Sequence, residues 1–304
     1  MTDAVTKSTK AADTRTSEAA PDKGRSDSDS GSCRERTHSP KRVTITELVR
    51  MKKAGQSIAM LTAYDYYTAR LLDEVGIDGV LVGDSANMVF YGETTTLSIT
   101  VDQMVYHTRA VSRAVSRALV IADMPFMSYQ VNADEALRNA GRFLKEAGAA
   151  AVKLEGGLNM APTIKRMVEA GIPVMGHIGL IPQSIHRFGG YAVQGKTDEG
   201  RTYLIESADA LAEAGCFSMV LEGIPRDLAR EITQRVPIPT IGIGAGAGCD
   251  GQILVTNDLL GLFPDFKPKF VRRYADLTDV MRTAFERYRD DVRARRFPGA
   301  DESY

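Results

Sequence analysis

The chain has 304 residues, of which 43% are hydrophobic and 25% are charged, and its formal net charge is −1. This is the composition of an ordinary soluble globular protein, and the near-neutral charge gives no argument for a nucleic-acid or membrane partner. The three cysteines, Cys33, Cys216 and Cys249, are an odd number without metal-like spacing. They indicate a reducing compartment, which we expect to be the cytoplasm, and no disulfide framework.

Residues 1–41 differ from the rest of the chain. They are rich in Ser, Thr, Asp, Lys and Arg and nearly devoid of large apolar side chains, so burial cannot offset the entropy of ordering them. They lack the apolar stretch of a secretory signal, and their many acidic residues argue against a mitochondrial transit peptide. We expect a disordered tail of unassigned role, followed by a single folded domain over residues 42–304.

A repeating unit follows a short helix. Thr44 and Glu47 have the capping-box spacing of a helix that runs to Gly55. Beyond it, apolar runs alternate with amphipathic segments, and the tripeptide Glu-Ala-Gly precedes three runs, where a glycine can end a helix in the left-handed conformation. The eight apolar runs are IAMLTAYD (58–65), GVLVGDS (79–85), LVIADMPF (119–126), AAVKLEGG (150–157), PVMGHIGL (173–180), FSMVLEG (217–223), IPTIGIGAG (238–246) and QILVTND (252–258).

Eight such units in about 200 residues predict an α/β fold, namely a (β/α)₈ TIM barrel closed by the helical segment 276–296. An open doubly wound sheet is the alternative. Such a sheet usually has fewer strands and gathers its ligands at one switch point, whereas this chain has polar residues at several strand ends. The barrel is therefore the preferred prediction.

Two long segments follow the second and the fifth run. Residues 86–99 and 181–201 exceed the ~2–6 residues usual for loops between barrel elements, so both are candidate lids or binding loops. The second could equally be a subunit contact. The glycine-rich stretch 242–248 could cradle a phosphate or form a tight turn, and it lacks the spacing of a dinucleotide site.

Three carboxylates end successive runs. Asp84 and Asp123 end the second and third runs, and Glu155 lies on the fourth. Carboxylates that converge in a partly dry pocket could not all stay ionised without a cation. Mg²⁺ prefers oxygen ligands and takes only one or two protein carboxylates while keeping several waters. The pattern predicts a Mg²⁺ site; the alternative is that each acid caps a helix or pairs with a surface base.

Other polar side chains share these strand ends. Lys153 lies two residues before Glu155, so both point to one face, where an ammonium suits a substrate carboxylate or an enolate oxygen. A structural ion pair is the alternative for this lysine. Glu222 is the candidate general base, although an acid there could also favour a helix N-terminus. His177 could transfer a proton or be a satisfied core residue. Ser85 can hydrogen-bond an oxygen of the bound ligand.

A series of motifs resembles a known family. In chain order they are LVGDS, IADMPF, VKLEGG, GHIGL, PQS with FGGY and VQG, VLEG, and IGIGAG followed by CDGQILV. Over about residues 42–275 they are similar to the motifs of ketopantoate hydroxymethyltransferases. The resemblance implies the conversion of 3-methyl-2-oxobutanoate to 2-dehydropantoate, for pantothenate biosynthesis, through a Mg²⁺-stabilised enolate. It also implies 5,10-methylenetetrahydrofolate as co-substrate, one Mg²⁺ per subunit, and a homodecamer of barrels of the phosphoenolpyruvate mutase/isocitrate lyase superfamily.

The resemblance also implies roles for the residues at the metal. Matched by motif, Asp84 and Asp123 would be direct Mg²⁺ ligands, and Glu155 would contact the metal or its waters. The 2-oxo acid would be contacted by both aspartates, by Ser85 and by Lys153. These assignments agree with the charge argument made from the residues alone.

The same resemblance implies that Glu222 is the proton acceptor, and it leaves His177 as an accessory pocket residue without a fixed role.

Two positions depart from the family pattern. Ile181 replaces the Thr usual after GHIGL, and His186 stands where Asn is common; either could alter the mouth of the pocket or the folate contacts. A C–C lyase of the same superfamily is one alternative, although no cysteine lies in the Lys-Lys-Cys-Gly-His type of loop. A non-catalytic metabolite-binding barrel is the other.

Overall fold

The computed structural model describes residues 41–263 and 268–304. Eight parallel strands form a closed barrel in which each strand pairs with its neighbour in sequence and the last pairs with the first. The strands are β1 (Ile58–Thr62), β2 (Gly79–Val82), β3 (Leu119–Asp123), β4 (Ala151–Lys153), β5 (Val174–Gly179), β6 (Ser218–Glu222), β7 (Thr240–Ile243) and β8 (Gly251–Leu254). The predicted (β/α)₈ barrel is confirmed. The predicted disordered tail lies, except for its last residue, outside the described residues.

Helices surround the barrel and connect its strands. They are α1 (Ile45–Lys53), α2 (Tyr66–Glu74), α3 (Ala86–Val89), α4 (Val101–Ala114), α5 (Ala133–Lys145), α6 (Ala161–Glu169), α7 (Ile185–Phe188), α8 (Asp198–Glu213), α9 (Arg226–Arg235), α10 (Thr256–Leu259) and α11 (Leu277–Arg293). None of the described helices combines the length and apolarity that crossing a bilayer requires.

Local signals set the helix boundaries as predicted. Thr44 accepts a hydrogen bond from the Glu47 backbone N–H at the start of α1, and Thr100 and Gln103 form a complete capping box at the start of α4. The strands are shorter than the apolar runs, because each run continues past its strand into the following loop. Asp123, Lys153, His177 and Glu222 lie within their strands or at the last strand residue, whereas Asp84 and Glu155 lie two residues beyond the ends of β2 and β4.

The N-terminal end of the barrel is filled with apolar side chains. Leu48 and Met51 of α1 belong to one buried cluster with Met60, Met175 and Ile241 on the strands. Burying each such side chain contributes about 1.5–3 kcal/mol. Among the described residues, α1 and this cluster fill the N-terminal end of the barrel, and a cavity lies at the carboxyl ends of the strands.

Two sequence-based details are wrong. Helix α11 forms close to the predicted segment 276–296, but it has no buried residue and does not cover the barrel as predicted. The β8–β1 pairing alone closes the sheet. The second long loop is also shorter than 181–201, because Thr197 accepts a hydrogen bond from the Gly200 N–H and starts α8 at Asp198.

Candidate active site

One cavity of about 440 Å³ lies at the carboxyl ends of the strands, a size suited to small molecules. Both long loops line it, with Met88 and Thr96 from the segment after β2 and Tyr191 and Val193 from the segment after β5. The predicted strand-end residues all line it as well: Asp84, Ser85, Asp123, Lys153, Glu155, His177 and Glu222. The structure therefore brings every predicted site residue into one pocket.

Asp84 and Asp123 lie side by side because β2 and β3 are neighbours in the barrel. The backbone N–H of Asp84 donates to Asp123 Oδ2 at 3.2 Å, and both residues are buried. Burial raises the pKa of Asp84 to about 7, and the neighbouring Asp123 carboxylate contributes to the increase. Ionising both side chains is therefore unfavourable unless a positive charge lies close to them.

Lys153 on β4 supplies one such charge. Its Nζ lies 2.7 Å from Asp123 Oδ1, so the ion pair that the sequence left as an alternative is present. Burial alone lowers the pKa of Lys153, but the carboxylates of Asp123, Glu155 and Asp84 outweigh this effect and hold the pKa above its usual value. The lysine is thus a charged ammonium, and two of its three hydrogens are not used by this ion pair.

The donor set also suits a divalent cation with oxygen ligands. Five carboxyl groups line the cavity, those of Asp84, Asp123, Glu155, Glu222 and Asp258, so full ionisation would leave an excess of negative charge in the pocket. Asp84 and Asp123 both retain lone pairs beyond their present hydrogen bonds, and one or two carboxylates are what Mg²⁺ usually takes. Within residues 41–263 and 268–304, no three His, Cys, Asp or Glu side chains are gathered as ligands of one ion. The lone pairs of the two aspartates could therefore serve one metal ion, and the assignment of Asp84, Asp123 and Glu155 to a Mg²⁺ site stays a prediction.

Ser85, the residue after Asp84, contacts a buried tyrosine. Its Oγ lies 2.8 Å from the hydroxyl of Tyr64, and the carbonyl of Tyr64 lies 2.7 Å from His107 Nδ1. Burial raises the pKa of Tyr64 well above its usual value, so its phenol stays neutral. The serine hydroxyl is thus held at the rim of the aspartate pair.

His177 lies between two acids. Its Nδ1 is 3.6 Å from Glu155 Oε1 and its Nε2 is 3.3 Å from Glu222 Oε2, although neither nitrogen has a partner with hydrogen-bond geometry among the described residues. Burial, reinforced by the charge of Lys153, lowers the pKa of His177 well below its usual value. The imidazole is therefore neutral. It lies between Glu155, one of the three candidate metal-site acids, and Glu222, the candidate base.

The environment of Glu222 suits proton transfer. Burial raises the pKa of its carboxyl group to about 8, with a further increase from Asp123 and an opposing effect from Lys153. A pKa near the working pH is what a general base needs. Pro225 precedes α9 and no side chain caps that helix, so Glu222 makes no capping hydrogen bond to it.

Two glycines allow close approaches around the site. At Gly179, where φ is +100°, a Cβ would lie 2.2 Å from the Glu222 carbonyl oxygen. In the glycine-rich stretch 242–248, a Cβ on Gly246 would lie 2.6 Å from Arg226 Cβ. The absence of a side chain at Gly246 therefore allows α9 to lie close to this stretch. This agrees with the interpretation of the stretch as a tight turn.

Sequence reasoning missed one polar cluster. Gln183 is buried, and its Nε2 donates to Asp84 Oδ2 at 2.9 Å while its backbone N–H donates to Glu155 Oε2 at 3.0 Å. The hydroxyl of Tyr129 donates to Gln183 Oε1 at 2.6 Å. The position of this glutamine, a few residues past the β5 end in the PQS motif, was the available signal.

A family model described as ketopantoate hydroxymethyltransferase matches residues 42–300. Among curated relatives, a protein of Prosthecochloris aestuarii (strain DSM 271 / SK 413) is 58% identical over 266 residues, covering 86% of this chain and 96% of its own. One of Syntrophus aciditrophicus (strain SB) is 55% identical over 269 residues, covering 88% and 99%. Both are named 3-methyl-2-oxobutanoate hydroxymethyltransferase.

Solved structures share the fold at much lower identity. A 2,3-dimethylmalate lyase, described as a member of the PEP mutase/isocitrate lyase superfamily, superposes with a TM-score of 0.56 and is 20% identical. The match covers 83% of this chain and 89% of that one. At this identity the likeness supports the barrel architecture and carries no argument about the reaction.

Proposed function

Since the chain belongs to the ketopantoate hydroxymethyltransferase family, we propose that it transfers a hydroxymethyl group from 5,10-methylenetetrahydrofolate to 3-methyl-2-oxobutanoate, giving 2-dehydropantoate. The observation that carries this proposal is the pairing of Asp123 with Lys153 beside Asp84, in the same cavity as Glu222. A 2-oxo acid needs positive charge for its oxygens and a base for C3. These side chains supply both.

Asp84 and Asp123 would hold one Mg²⁺ per subunit, and Glu155 would contact its waters. When bound, the ion would polarise the 2-oxo group as a Lewis acid and so acidify the C3 hydrogen. Lys153 keeps its ammonium beside Asp123 and directs its free hydrogens to the substrate oxygens. The Ser85 hydroxyl adds a hydrogen bond to the same acid.

Glu222 would remove the C3 proton. The electron pair left on C3 then forms the bond to the methylene carbon of the folate, whose bond to one of the two folate nitrogens breaks. Water supplies the hydroxyl group as the bond to the second nitrogen breaks, and the protons released by C3 and by water go to the two nitrogens, so the balance needs no redox partner. Most of this one-carbon chemistry belongs to the co-substrate, and the protein contributes position and charge.

The experiment that tests the proposal is deuterium exchange at C3 of 3-methyl-2-oxobutanoate in D₂O, followed by proton NMR with and without Mg²⁺. We expect exchange only with the metal, and 2-dehydropantoate only after 5,10-methylenetetrahydrofolate is added. Absence of exchange under all conditions rejects the proposal. Cleavage of a C–C bond in a malate-like acid would support a lyase instead, and binding without turnover would support a non-catalytic barrel.

We propose further that the protein is a homo-oligomer, with the decamer implied by the family resemblance as the expected state. Helix α11 supports self-association, because Met281, Phe285, Tyr288 and Val292 recur at helical spacing on one face and are exposed. Contiguous exposed apolar side chains commonly mark an interface. Sedimentation velocity on the full chain measures the state, and a monomer at micromolar concentration would contradict it.

A cytoplasmic location is also proposed. Cys216 and Cys249 are both free thiols in the described chain, as expected in a reducing compartment. Fractionation of cells that express the full chain tests the location.

A further inference from the structure

We propose that Gln183 is a positioning residue, which orients the carboxylates of Asp84 and Glu155 and ties the loop after β5 to them. The inference rests on the proposed function, since it concerns the ligands of that reaction's metal. Gln183 lies in the 3₁₀ helix Pro182–Ser184 at the start of this loop, and only 4% of its surface is exposed. No residue of this kind was expected from the charge pattern.

The contacts of Gln183 reach both acids. Its Nε2 donates to Asp84 Oδ2 at 2.9 Å and to the Met124 carbonyl at 3.0 Å, so both hydrogens of the amide are used. Its backbone N–H donates to Glu155 Oε2 at 3.0 Å. One residue of the loop therefore holds an oxygen from each of two carboxylates that end different strands.

The orientation of the Gln183 amide is fixed by the hydrogen bonds that its Oε1 accepts. The Tyr129 hydroxyl donates to Gln183 Oε1 at 2.6 Å, and Gln130 Nε2 donates to the same oxygen at 3.2 Å. Tyr129 is itself oriented, because its hydroxyl oxygen accepts the backbone N–H of Glu155 at 3.1 Å. A flipped amide would lose these bonds and present its oxygen to Asp84, so Nε2 must face the carboxylate.

This arrangement matters for a metal ligand. The bond from Gln183 occupies a lone pair of Asp84 Oδ2 and limits rotation of the carboxylate, which leaves the remaining lone pairs in a fixed direction. Partners that orient a ligand in this way commonly contribute about 10- to 100-fold to metal affinity or activity. Glu155 is restrained in the same way by the backbone bond, which a side-chain substitution leaves in place.

The same bonds anchor a wall of the cavity. Tyr191 and Val193 follow Gln183 in the loop and line the pocket. Because the loop begins at a residue bonded to Asp84, a change in the orientation of this carboxylate is transmitted directly to the start of the loop. Metal binding and loop order should therefore be coupled through Gln183.

The test compares Gln183→Met with Gln194→Met. Gln194 lies in the same loop, and its amide donates to the Ala192 carbonyl at 2.8 Å. Mn²⁺ replaces Mg²⁺ as the probe, and its binding to the protein without substrate is measured by electron paramagnetic resonance. We expect Gln183→Met to weaken Mn²⁺ binding about 10- to 100-fold and Gln194→Met to bind Mn²⁺ like the wild type. Thermal unfolding confirms that each variant is folded.

A second readout addresses the coupling. In hydrogen exchange followed by mass spectrometry, Mn²⁺ should slow exchange in residues 182–194 of the wild type and of Gln194→Met, but not of Gln183→Met. If Gln183→Met does not fold, Gln183→Glu decides the question: it keeps the shape, places an oxygen against Asp84 Oδ2, and should also weaken Mn²⁺ binding. Wild-type affinity in a folded Gln183 variant overturns the inference. Failure of the wild type to bind Mn²⁺ or exchange C3 would instead refute the proposed function.

Discussion

His177 Nε2 lies 3.3 Å from Glu222 Oε2, while its other ring nitrogen faces Glu155. A neutral imidazole carries one hydrogen on nitrogen, so it can donate to at most one of these acids. Neither ring nitrogen has a partner with hydrogen-bond geometry among the described residues. Burial raises the pKa of Glu155 well above its usual value and that of Glu222 to about 8, so both flanking carboxyl groups hold a proton more readily than ordinary glutamates. The histidine that the sequence left without a role thus lies between the candidate base and one of the candidate metal-site acids.

The first prediction concerns the base. Glu222→Gln keeps the shape of the side chain but cannot accept a proton, so C3 exchange should fall by roughly 10²- to 10⁴-fold, the usual contribution of a general base. Binding of Mn²⁺ and of 3-methyl-2-oxobutanoate should stay close to wild type, since Asp84, Asp123 and Lys153 are unchanged. Proton NMR in D₂O measures exchange, and calorimetry measures binding. Unchanged exchange rejects Glu222 as the base.

Local sequence accounts for the barrel strands and for the residues at their ends. Strands buried on both faces give continuous apolar runs, and a parallel barrel brings the residues at the carboxyl ends of those runs to one face. The bond between Lys153 and Asp123 was harder to predict from the sequence, because it depends on the register of β3 against β4, which pairs these two residues. A sequence read locally does not contain that register.

Two other features, the contacts of Gln183 and the exposure of α11, were missed for a different reason. Gln183 is uncharged and lies in a loop, so neither charge nor periodicity distinguishes it from the other polar residues there. The amphipathic pattern predicts α11 as a helix, but the same pattern suits packing on the barrel or on another molecule. Sequence periodicity defines an apolar face and does not say what covers it.

The second prediction concerns the buried ion pair. Lys153→Met leaves the Asp123 carboxylate buried and without its partner, so the free energy of unfolding should fall by roughly 3–5 kcal/mol in the absence of metal. The double variant Lys153→Met, Asp123→Asn should recover much of this loss, because no unpaired charge remains. Urea denaturation in the presence of EDTA measures both.

The control for this pair is Arg235→Met. Arg235 pairs with Asp209 at 2.8 Å, but over half of the arginine side chain is exposed. Solvent screens such a pair, so its loss should cost far less than the loss of Lys153. Equal losses for the two variants would contradict the view that burial makes the Lys153–Asp123 pair important.

The third prediction concerns Gly179. An alanine there would place its Cβ 2.2 Å from the Glu222 carbonyl oxygen, at a φ of +100° that side chains rarely adopt. We expect Gly179→Ala to reduce both stability and C3 exchange, since the β6 end that carries the base must move. Gly171→Ala is a matched control, because its φ is +87° but no heavy atom lies within 4 Å of the added Cβ.

The control should therefore show the cost of backbone strain alone, about 1–3 kcal/mol, with C3 exchange unaffected. Urea denaturation and the D₂O assay separate the two effects. If both variants exchange C3 equally well, the close approach of Gly179 to Glu222 does not position the base.

The last prediction concerns pH. Burial raises the pKa of Glu222 to about 8 and that of Asp84 to about 7, compared with ordinary values of 4.5 and 3.8. Between the ordinary and the raised pKa, the folded protein holds protons that the unfolded chain has released. The free energy of unfolding of the metal-free protein should therefore fall as the pH rises from about 6.5 to about 8.5. The lowered pKa of His177 acts in the opposite direction, but only below its ordinary value of 6.5.

Urea denaturation in EDTA across this range measures the slope. Glu222→Gln should show a shallower slope than the wild type, because one of the carboxyl groups with a raised pKa is gone. Excess Mg²⁺ should oppose the fall in stability, since a metal binds the deprotonated carboxylates and gains affinity as the pH rises. A slope unchanged by both the substitution and the metal would mean that the buried carboxyl groups do not titrate in this window. Their raised pKa values would then have no part in the chemistry.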